Sequence, residues 1–561
     1  MRTSAALLAA AAAAASAPSL ATAATPPYYL SPPAELLRAL GGALPDAPPA
    51  CTEAVRRRLT WGVATSAAQI EGAASSGRRT PSVWDAFSAS SPSPIAGGAT
   101  PAVATDHHGR YPSDFQLMQQ LGINAHRFSI SWSRLVPGGG KGSAVSPEGA
   151  AFYQALAREM LSRNITPVAT LYHWDLPQSL QQAYGGWSGG GARVVDDFEH
   201  YAGAAFAALR GLVRHWLTIN EPGVVCDQGY NQGTFAPGVR GGRRAMYACG
   251  HNLLLAHARA HARCKRDGCG EVSLAMNIVW AQPADPADAL HAQAAQNALD
   301  RDSGWFLDPI TRGDYPDVLK RAAADAGLPA FSDAEKRALR GSFDFLAVNT
   351  YTGYFAYEAP GRPDGFRLNE TRSGAMTGSR RQRAEAAAKR AQRQPARPRP
   401  PPKEAAAPAA SGGEPAAARD VSLLGSVESA EPGALGNVLR YLGRRYGRGV
   451  PLWVTEFGAG VPGEHALPRG GLAALDDSAT RVSALRQYLE GVCAAAASGE
   501  VNVRAVFAWT FLDNFEWLKG YSLDYGLVDV DFAPGGSLRR RPKASAFWFS
   551  KFFWRESRRL G

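Results

Sequence analysis

The sequence predicts an α/β protein built on a single (β/α)8 TIM barrel, and three features of the chain support that fold class. From Leu59 onward, eight short apolar runs of strand length occur at intervals along the chain. Amphipathic helical stretches lie between these runs. No second strand-and-helix series follows, although 561 residues would be long enough for several domains.

The predicted strands are nearly continuous apolar runs, as expected of strands that are buried on both faces. In chain order they are Thr60–Thr65, Asn124–Ser131, Thr166–Tyr172, Arg214–Asn220, Val272–Ile278, Phe345–Asn349, Leu452–Thr455 and Arg504–Trp509. The helices predicted between them include Pro147–Arg163, Val194–Leu209, Ala245–Cys264, Pro432–Arg445 and Ser478–Ser498. Barrels of this kind place their chemistry just beyond the C-terminal ends of the strands.

The barrel is expected to span residues 59–555, after an N-terminal extension at 26–58. Residues 1–25 carry one charge, Arg2, then an alanine-leucine run and a small-residue cleavage site at Ala21–Ala23. We expect a secretory signal peptide, and therefore a secreted protein or one in the lumen of the secretory pathway. A plastid transit peptide is the alternative. In an oxidising compartment the six cysteines could form disulfides, but the sequence does not fix their pairing.

The formal net charge of +11 is concentrated in one segment. Residues 379–403 hold nine basic side chains and one acid, which together supply +8 of that charge. They belong to a low-complexity insertion expected at 361–431, between strands six and seven, and we expect a disordered, solvated loop there. A polyanion contact is the alternative. Because no stacking aromatics interleave with the arginines, we expect no nucleic-acid partner. Beyond the leader, no apolar run is long enough to predict a membrane span.

Two glutamates directly follow predicted strands. Glu221 ends the run that begins at Arg214, and Glu456 ends the run that begins at Leu452. A glutamate after one apolar strand is more often a rim residue in a salt bridge. Two carboxyl groups that face one barrel mouth are nevertheless the minimum equipment for glycoside hydrolysis, since one protonates the leaving oxygen and the other attacks the anomeric carbon or activates water.

Sugar-binding residue types cluster at the same strand ends. Sugars present apolar C–H faces and many hydroxyl groups, so proteins bind them with aromatic platforms and with carboxylate, amide and imidazole groups. Each tryptophan alone could equally be a core residue, but the whole set coincides at five different strand ends. Its members are Gln69, His173, Asn220, Asn349, Trp509, Glu516 and Trp517.

Several ordered motifs then resemble glycoside hydrolase family 1, the β-glucosidase family. The resemblance covers about residues 59–554 apart from roughly 361–431, and jointly the motifs are specific. They are Trp61–Ser66, Gln69–Gly72, Pro81–Asp85, Arg127–Arg134, His173–Pro177, Thr218–Pro222, Asn349–Tyr351, Thr455–Glu456, Phe507–Trp509 and Glu516–Trp517.

The resemblance implies a retaining mechanism with Glu221 as the acid/base and Glu456 as the nucleophile. It also implies that Tyr351 and Arg127 orient and stabilise the nucleophile, and that Asn220 holds the sugar 2-hydroxyl. The remaining residues of the set are expected to bind the substrate, and they are Gln69, His173, Asn349, Trp509, Glu516 and Trp517. Among them, Asn349 stands where the family has a polar residue close to the site. The family mechanism needs no metal and no organic cofactor.

Three residues bear on the bond that is cleaved, on the glycone and on the expected rate. Glu221 is a carboxylate where thioglucoside-cleaving members have glutamine, so an O-glycosidase is favoured. Glu516 would repel a phosphate, which favours a neutral glycone such as glucose, galactose or fucose. Phe457 departs from the family, which usually has asparagine directly after the nucleophile, and this departure affects the expected rate and glycone preference more than the reaction class.

The expected ligand is therefore a small-molecule or oligosaccharide β-glycoside. A transglycosidase that uses the same intermediate remains an alternative, as does a non-catalytic sugar-binding relative, although such relatives typically lose one of the two glutamates. The natural aglycone and the oligomeric state are not readable from the sequence.

Overall fold

A closed barrel of eight parallel strands forms the centre of the protein, which confirms the predicted fold class. The structure, a computed structural model, describes residues 32–39, 43–370, 432–467, 471–533 and 535–553. The eight predicted strands all occur, each with bounds within about two residues of those expected from the apolar runs. All strands, in chain order, are Thr60–Ala64 (β1), Ala125–Ser129 (β2), Thr166–Tyr172 (β3), His215–Asn220 (β4), Glu271–Asn277 (β5), Trp280–Pro283 (β6), Leu346–Asn349 (β7), Gly353–Glu358 (β8), Phe366–Glu370 (β9), Pro451–Phe457 (β10), Val461–Pro462 (β11), Asn502–Trp509 (β12), Leu523–Asp524 (β13), Val528–Val530 (β14) and Arg540–Pro542 (β15).

Helices connect the barrel strands and cover the outside of the barrel. The α-helices are Ala34–Ala39, Glu53–Arg58, Ala67–Ile70, Val83–Ser88, His107–Gln120, Trp132–Leu135, Pro147–Ser162, Gln178–Tyr184, Gly186–Gly189, Ala192–Ala208, Pro222–Val224, Gly242–Asp267, Ala289–Asp302, Gly304–Arg312, Asp317–Ala322, Asp333–Leu339, Pro432–Tyr446, Leu472–Leu475, Ser483–Ser498 and Ala544–Phe553. Local signals fix their ends. For example, the Ser146 side chain accepts a hydrogen bond from the Gly149 backbone N–H at the start of helix Pro147–Ser162.

The barrel closes in the order β1-β12-β10-β7-β5-β4-β3-β2. Its interior is filled by aromatic side chains below the mouth. Trp453 stacks between Phe345 and Phe507, with ring centroids 4.2 Å and 6.1 Å away. Gly62 makes room for this layer, because a Cβ atom there would lie 2.5 Å from the Phe507 ring. The packed lumen leaves the strand ends as the floor of a pocket.

Three disulfides join cysteines that the sequence left unpaired. Cys51–Cys493 ties the N-terminal extension to helix Ser483–Ser498. Cys226–Cys249 links the π-helix Val225–Asn231, which follows β4, to helix Gly242–Asp267. Cys264–Cys269 closes a short turn before β5. The first bridge fixes the segment around Cys51 against a barrel helix, and the second fixes the π-helix that follows β4.

The predicted insertion at 361–431 needs one correction. Its first ten residues include β9, which pairs antiparallel with β8 from Tyr354↔Glu370 to Glu358↔Phe366. β6 pairs parallel with β8 on the other side, so a three-stranded sheet lies beside the barrel. The remainder of the insertion and the predicted leader at 1–25 lie outside the described residues. Among the described helices, none combines the length and apolarity needed to cross a bilayer.

Candidate active site

Three site residues have a left-handed backbone at the barrel mouth. Glu221 follows β4 with φ +47°, Trp174 follows β3 with φ +76°, and Trp517 has φ +48° in the loop after β12. Such φ values are unfavourable for residues with a Cβ atom, and they persist where surrounding structure fixes them, often at functional sites. At Glu221 the turn is held by a hydrogen bond from its backbone N–H to the Ala275 carbonyl, 2.8 Å long.

Glu456 on β10 is held by two side chains from other strand ends. One Arg127 N–H, from β2, donates to Glu456 Oε1, and the two side chains are 0% and 5% exposed. The Tyr351 hydroxyl donates to Glu456 Oε2 over 2.7 Å. Charge-assisted bonds of this kind are stronger than neutral ones and fix both carboxylate oxygens. The carboxylate is therefore oriented by groups that all favour its ionised form.

An amide network connects the two glutamates. Asn220 Oδ1 accepts from Arg127 over 2.7 Å and from Asn349 Nδ2 over 3.1 Å. Asn349 Nδ2 also donates to Glu221 Oε1 over 2.6 Å. The Thr455 hydroxyl donates to Asn349 Oδ1 over 2.7 Å, which orients the amide so that its N–H groups face Glu221 and Asn220.

The two carboxyl groups differ in their tendency to ionise. Burial, then the negative charge of Glu456, raises the pKa of Glu221 to about 8, against smaller opposing effects of Asn349 and Arg127. Burial also raises the pKa of Glu456, but the Arg127 guanidinium and the Tyr351 hydrogen bond oppose that rise. Glu456 therefore ionises first, and Glu221 keeps its proton near neutral pH.

Gln69 and Glu516 form a polar wall of the same pocket. Gln69 Nε2 donates to Asn514 Oδ1 over 3.0 Å and to Glu516 Oε2 over 3.4 Å. The other Glu516 oxygen is buried and has no hydrogen-bond partner within the described ranges, and the same holds for His173 Nδ1. Burial is the largest cause of a raised pKa at Glu516 and of a lowered pKa at His173. Unsatisfied buried polar atoms at a pocket indicate groups that bind a ligand.

Aromatic rings also lie at this pocket. His173 lies between Trp509 and Trp517, with centroid distances of 5.7 Å and 6.0 Å and interplanar angles of 19° and 18°. Trp84 and Trp174 each pack 4.5 Å from Trp517 and fix its ring. Flat rings beside hydrogen-bonding groups suit the apolar and polar faces of a sugar.

All eleven residues that the sequence singled out lie at this mouth. The sequence reasoning assigned no role to four further residues that hold them in place, namely Thr170, Thr455, Asn514 and Trp84. The one sequence signal for them is proximity to predicted site residues, since Thr455 directly precedes Glu456 and Asn514 lies two residues before Glu516. Across the described ranges, no group of three or more His, Cys, Asp or Glu residues is arranged to hold a metal ion.

Phe457, the departure next to Glu456, points away from the pocket. Successive side chains of a strand face opposite sides, so Glu456 enters the mouth and Phe457 enters the layer between barrel and helices. Its ring is fully buried and packs edge-on against Tyr488 and Phe549, with centroids at 5.8 Å and 6.3 Å. Tyr488 in turn donates to the Tyr351 backbone carbonyl over 2.6 Å. Phe457 thus supports the site through packing, and no sugar hydroxyl would meet its ring.

Comparison with known proteins identifies relatives along nearly the whole chain. The sequence profile described as Glycosyl hydrolase family 1 matches residues 51–557. Beta-glucosidase 4 of Oryza sativa subsp. japonica is 38% identical over 502 residues, covering 88% of this chain and 94% of that protein.

Solved structures agree with the sequence relatives. A GH1 β-glucosidase from the fungus Humicola insolens, in complex with glucose, superposes with a TM-score of 0.75 at 32% identity and covers 89% of this chain and 98% of that one. A mutant of the rice β-glucosidase Os3BGlu6, in a covalent complex with Glc, has a TM-score of 0.74 at 29% identity, with 90% and 99% covered. With a matching profile, a barrel of the same architecture and relatives of full length, the chain is a glycoside hydrolase that belongs to glycosyl hydrolase family 1.

Proposed function

We propose that the protein is a retaining β-glycosidase that hydrolyses O-linked β-glucosides, or β-glycosides of a related neutral sugar such as galactose or fucose. The observation that carries this proposal is the different state of the two buried glutamates. Glu456 is held for ionisation by Arg127 and Tyr351, whereas Glu221 has a pKa of about 8 and is protonated at neutral pH. One nucleophile and one proton donor at a single pocket are what a retaining glycosidase requires.

In the first step, the Glu456 carboxylate attacks the anomeric carbon and forms a covalent glycosyl-enzyme. The bond to the aglycone breaks at the same time, and Glu221 gives its proton to the leaving oxygen. The negative charge of Glu456 is consumed when the ester forms. Since that charge raises the pKa of Glu221, its loss lowers this pKa and favours the ionised base that the second step needs.

In the second step, Glu221 takes a proton from a water molecule, which attacks the anomeric carbon from the side that the aglycone has left. Glu456 departs as a carboxylate, and Arg127 and Tyr351 stabilise the charge that returns to it. Two displacements at one carbon retain the β configuration of the product. The covalent complex with Glc of the rice relative supports this intermediate for the present chain.

The glycone is proposed to lie between the polar and aromatic walls. The free Glu516 oxygen and His173 Nδ1 would accept or donate hydrogen bonds to sugar hydroxyls, together with Gln69. Trp509 and Trp517 would contact the C–H face of the ring. Asn220 would hold the 2-hydroxyl, where hydrogen bonds strengthen in the transition state.

Azide rescue of two variants tests the assigned roles with para-nitrophenyl β-glucoside as substrate. Glu456→Ala should lose turnover, and azide should restore it with an α-glucosyl azide as product, because azide enters from the vacated side. Glu221→Ala should lose about 10²- to 10⁴-fold at its acid and base steps. With azide it should yield the β-glucosyl azide, since azide attacks the glycosyl-enzyme.

Glu500→Ala is the control for these variants, because Glu500 lies on the surface beside β12, at the opposite end of the barrel. It should keep wild-type activity with or without azide. Full activity of Glu456→Ala, or the same azide product from both variants, would contradict the assignment.

A further inference from the structure

The turn between helix Pro147–Ser162 and β3 carries an exposed asparagine. Asn164 has a left-handed backbone with φ +60° just beyond the end of the helix. Its backbone N–H donates to the Leu161 carbonyl over 3.1 Å, and the Ile165 N–H donates to the Met160 carbonyl over 2.9 Å. These two bonds close the helix end in the manner of a Schellman motif. The main chain therefore holds the turn, and Asn164 lies at the surface.

Asn164 also begins the sequence Asn-Ile-Thr, which ends at Thr166. Asparagine, then any residue except proline, then serine or threonine is the acceptor sequence for N-linked glycans. Glycine is the usual residue at this left-handed position of a helix end, and asparagine is used there less often. The backbone alone would thus accept either residue. The hydroxyl of Thr166 is what distinguishes an acceptor sequence from a simple helix end.

The cysteines indicate the kind of compartment in which the chain folds. All six form disulfides, and Cys51–Cys493 joins parts of the chain that are 442 positions apart. Disulfides form and persist in oxidising compartments such as the lumen of the endoplasmic reticulum, where N-linked glycans are attached. The disulfides, the leader expected at residues 1–25 and the acceptor sequence are therefore consistent with one and the same compartment.

Asn164 lies at the end of the barrel opposite the sugar pocket. Thr166 is the first residue of β3, and its backbone N–H donates to the Asn124 carbonyl over 2.8 Å. The strand has seven residues and rises about 3.3 Å per residue, so about 20 Å separate its start from the pocket residue His173. A glycan at Asn164 would leave the pocket open. It would also cover Leu161 in the same turn, which is 42% exposed.

We propose that Asn164 is an N-glycosylation site and carries an oligosaccharide in the folded enzyme. In the transfer step, Asn164 Nδ2 attacks the anomeric carbon of an oligosaccharide that is bound to a lipid through a diphosphate. The N–C bond forms as the C–O bond to the diphosphate breaks. The lipid diphosphate leaves with the electron pair, and the amide gives one proton to a base of the glycosyltransferase. The proposal is independent of the proposed reaction, because Asn164 is not part of the sugar pocket.

Expression of the full chain with its own N-terminus in plant cells tests the proposal, because a secretory leader and a plastid leader give different compartments there. Peptide N-glycosidase in heavy-oxygen water should convert Asn164 to a labelled aspartate, which peptide mass spectrometry detects. A second acceptor sequence begins at Asn369, and trypsin places it in a different peptide. A folded protein with unmodified Asn164 would overturn the proposal, and so would delivery of the chain to the plastid.

Three substitutions separate the acceptor sequence from the helix end. Asn164→Asp keeps a residue that tolerates the left-handed backbone but removes the amide, so the glycan should be lost. Thr166→Val removes the hydroxyl at nearly constant size in a strand and should also lose the glycan. Thr166→Ser keeps the hydroxyl and is the matched control that should retain it. A glycan that persists at Asn164 in Thr166→Val, or that is absent in Thr166→Ser, would contradict the proposal.

Activity toward para-nitrophenyl β-glucoside separates this proposal from the proposed function. Asn164→Asp and the glycosylated wild type should have kcat/KM values within about twofold, because this end of the barrel lies away from the chemistry. A larger loss would contradict the placement of the glycan away from the pocket. An active enzyme with unmodified Asn164 would overturn the glycosylation proposal alone. A protein that carries the glycan but cleaves no glycoside would instead refute the proposed reaction.

Discussion

Removing the Tyr351 hydroxyl should move the acidic limb of the pH–activity profile. In Tyr351→Phe, Glu456 Oε2 loses the donor that lies 2.7 Å away, and both side chains are buried at 4% exposure, so water cannot readily replace the bond. The wild-type hydroxyl donates at every assay pH, because burial and then the charges of Glu456 and Glu221 raise the pKa of Tyr351 well above its usual value. The substitution therefore tests one hydrogen bond to the proposed nucleophile.

The size of the shift follows from the strength of the bond. Hydrogen bonds to a charged group contribute about 1.5–3 kcal/mol. One pKa unit corresponds to about 1.4 kcal/mol, so the pKa of Glu456 should rise by about one to two units. In the proposed mechanism Glu456 must be ionised to attack, and a higher pKa leaves less of it ionised at low pH. The acidic limb of kcat/KM should consequently move to higher pH by that amount.

The assay is the pH profile of kcat/KM for para-nitrophenyl β-glucoside. Tyr201→Phe is a matched control, because Tyr201 is also fully buried and its hydroxyl donates to the Ile130 and Leu171 carbonyls, both at 2.7 Å. Tyr201→Phe should lower the melting temperature without moving either limb. An acidic limb in Tyr351→Phe that coincides with the wild-type limb would refute the reasoning that this hydrogen bond sets the ionisation of Glu456.

Two further expectations follow from the same residues. On the basic limb, kcat/KM should fall about tenfold per pH unit above about 8, where Glu221 loses its proton. In Glu456→Gln, an NMR titration should find the pKa of Glu221 lowered, because the neighbouring charge is gone. An unshifted titration would contradict the electrostatic coupling. Phe457→Ala should reduce the free energy of unfolding by about 3–5 kcal/mol in urea titrations, and Phe457→Leu by less than about 1.5 kcal/mol, because the ring is fully buried against Tyr488 and Phe549. Equal losses for the two variants would show that packing is not what Phe457 contributes.

The barrel could be predicted because its strands are buried on both faces and therefore appear as continuous apolar runs. The β8–β9 hairpin was missed for the opposite reason. Phe366–Glu370 alternates apolar and polar residues and lies next to a segment of strongly biased composition, so the prediction assigned it to the insertion. Strand β6, which pairs with β8 on the side away from β9, has only four residues, Trp280–Pro283, too few to give a periodic signal.

The predicted site residues lie together because a parallel barrel brings all strand ends to one mouth. What the sequence could not show is how the side chains orient one another. Thr455 precedes Glu456, yet its contribution is to fix the Asn349 amide on the adjacent strand β7. That contact depends on register between β10 and β7, including the shift between Val454 and Glu456, which no residue pattern specifies.

The sugar pocket and the cavity of about 790 Å³ outside it differ in the same physical way. Residues that would hold the sugar stand at strand ends or in the loops directly after them, so topology alone gathers them. The cavity is walled largely by helices and by the β8–β9 hairpin, whose positions depend on packing. From the sequence, three arginines and four aspartates of that wall would suggest a polar ligand. The pairings Arg301–Asp364 and Arg243–Asp325 weaken this inference, because only the folded chain shows that these charges lie beside partners of opposite sign.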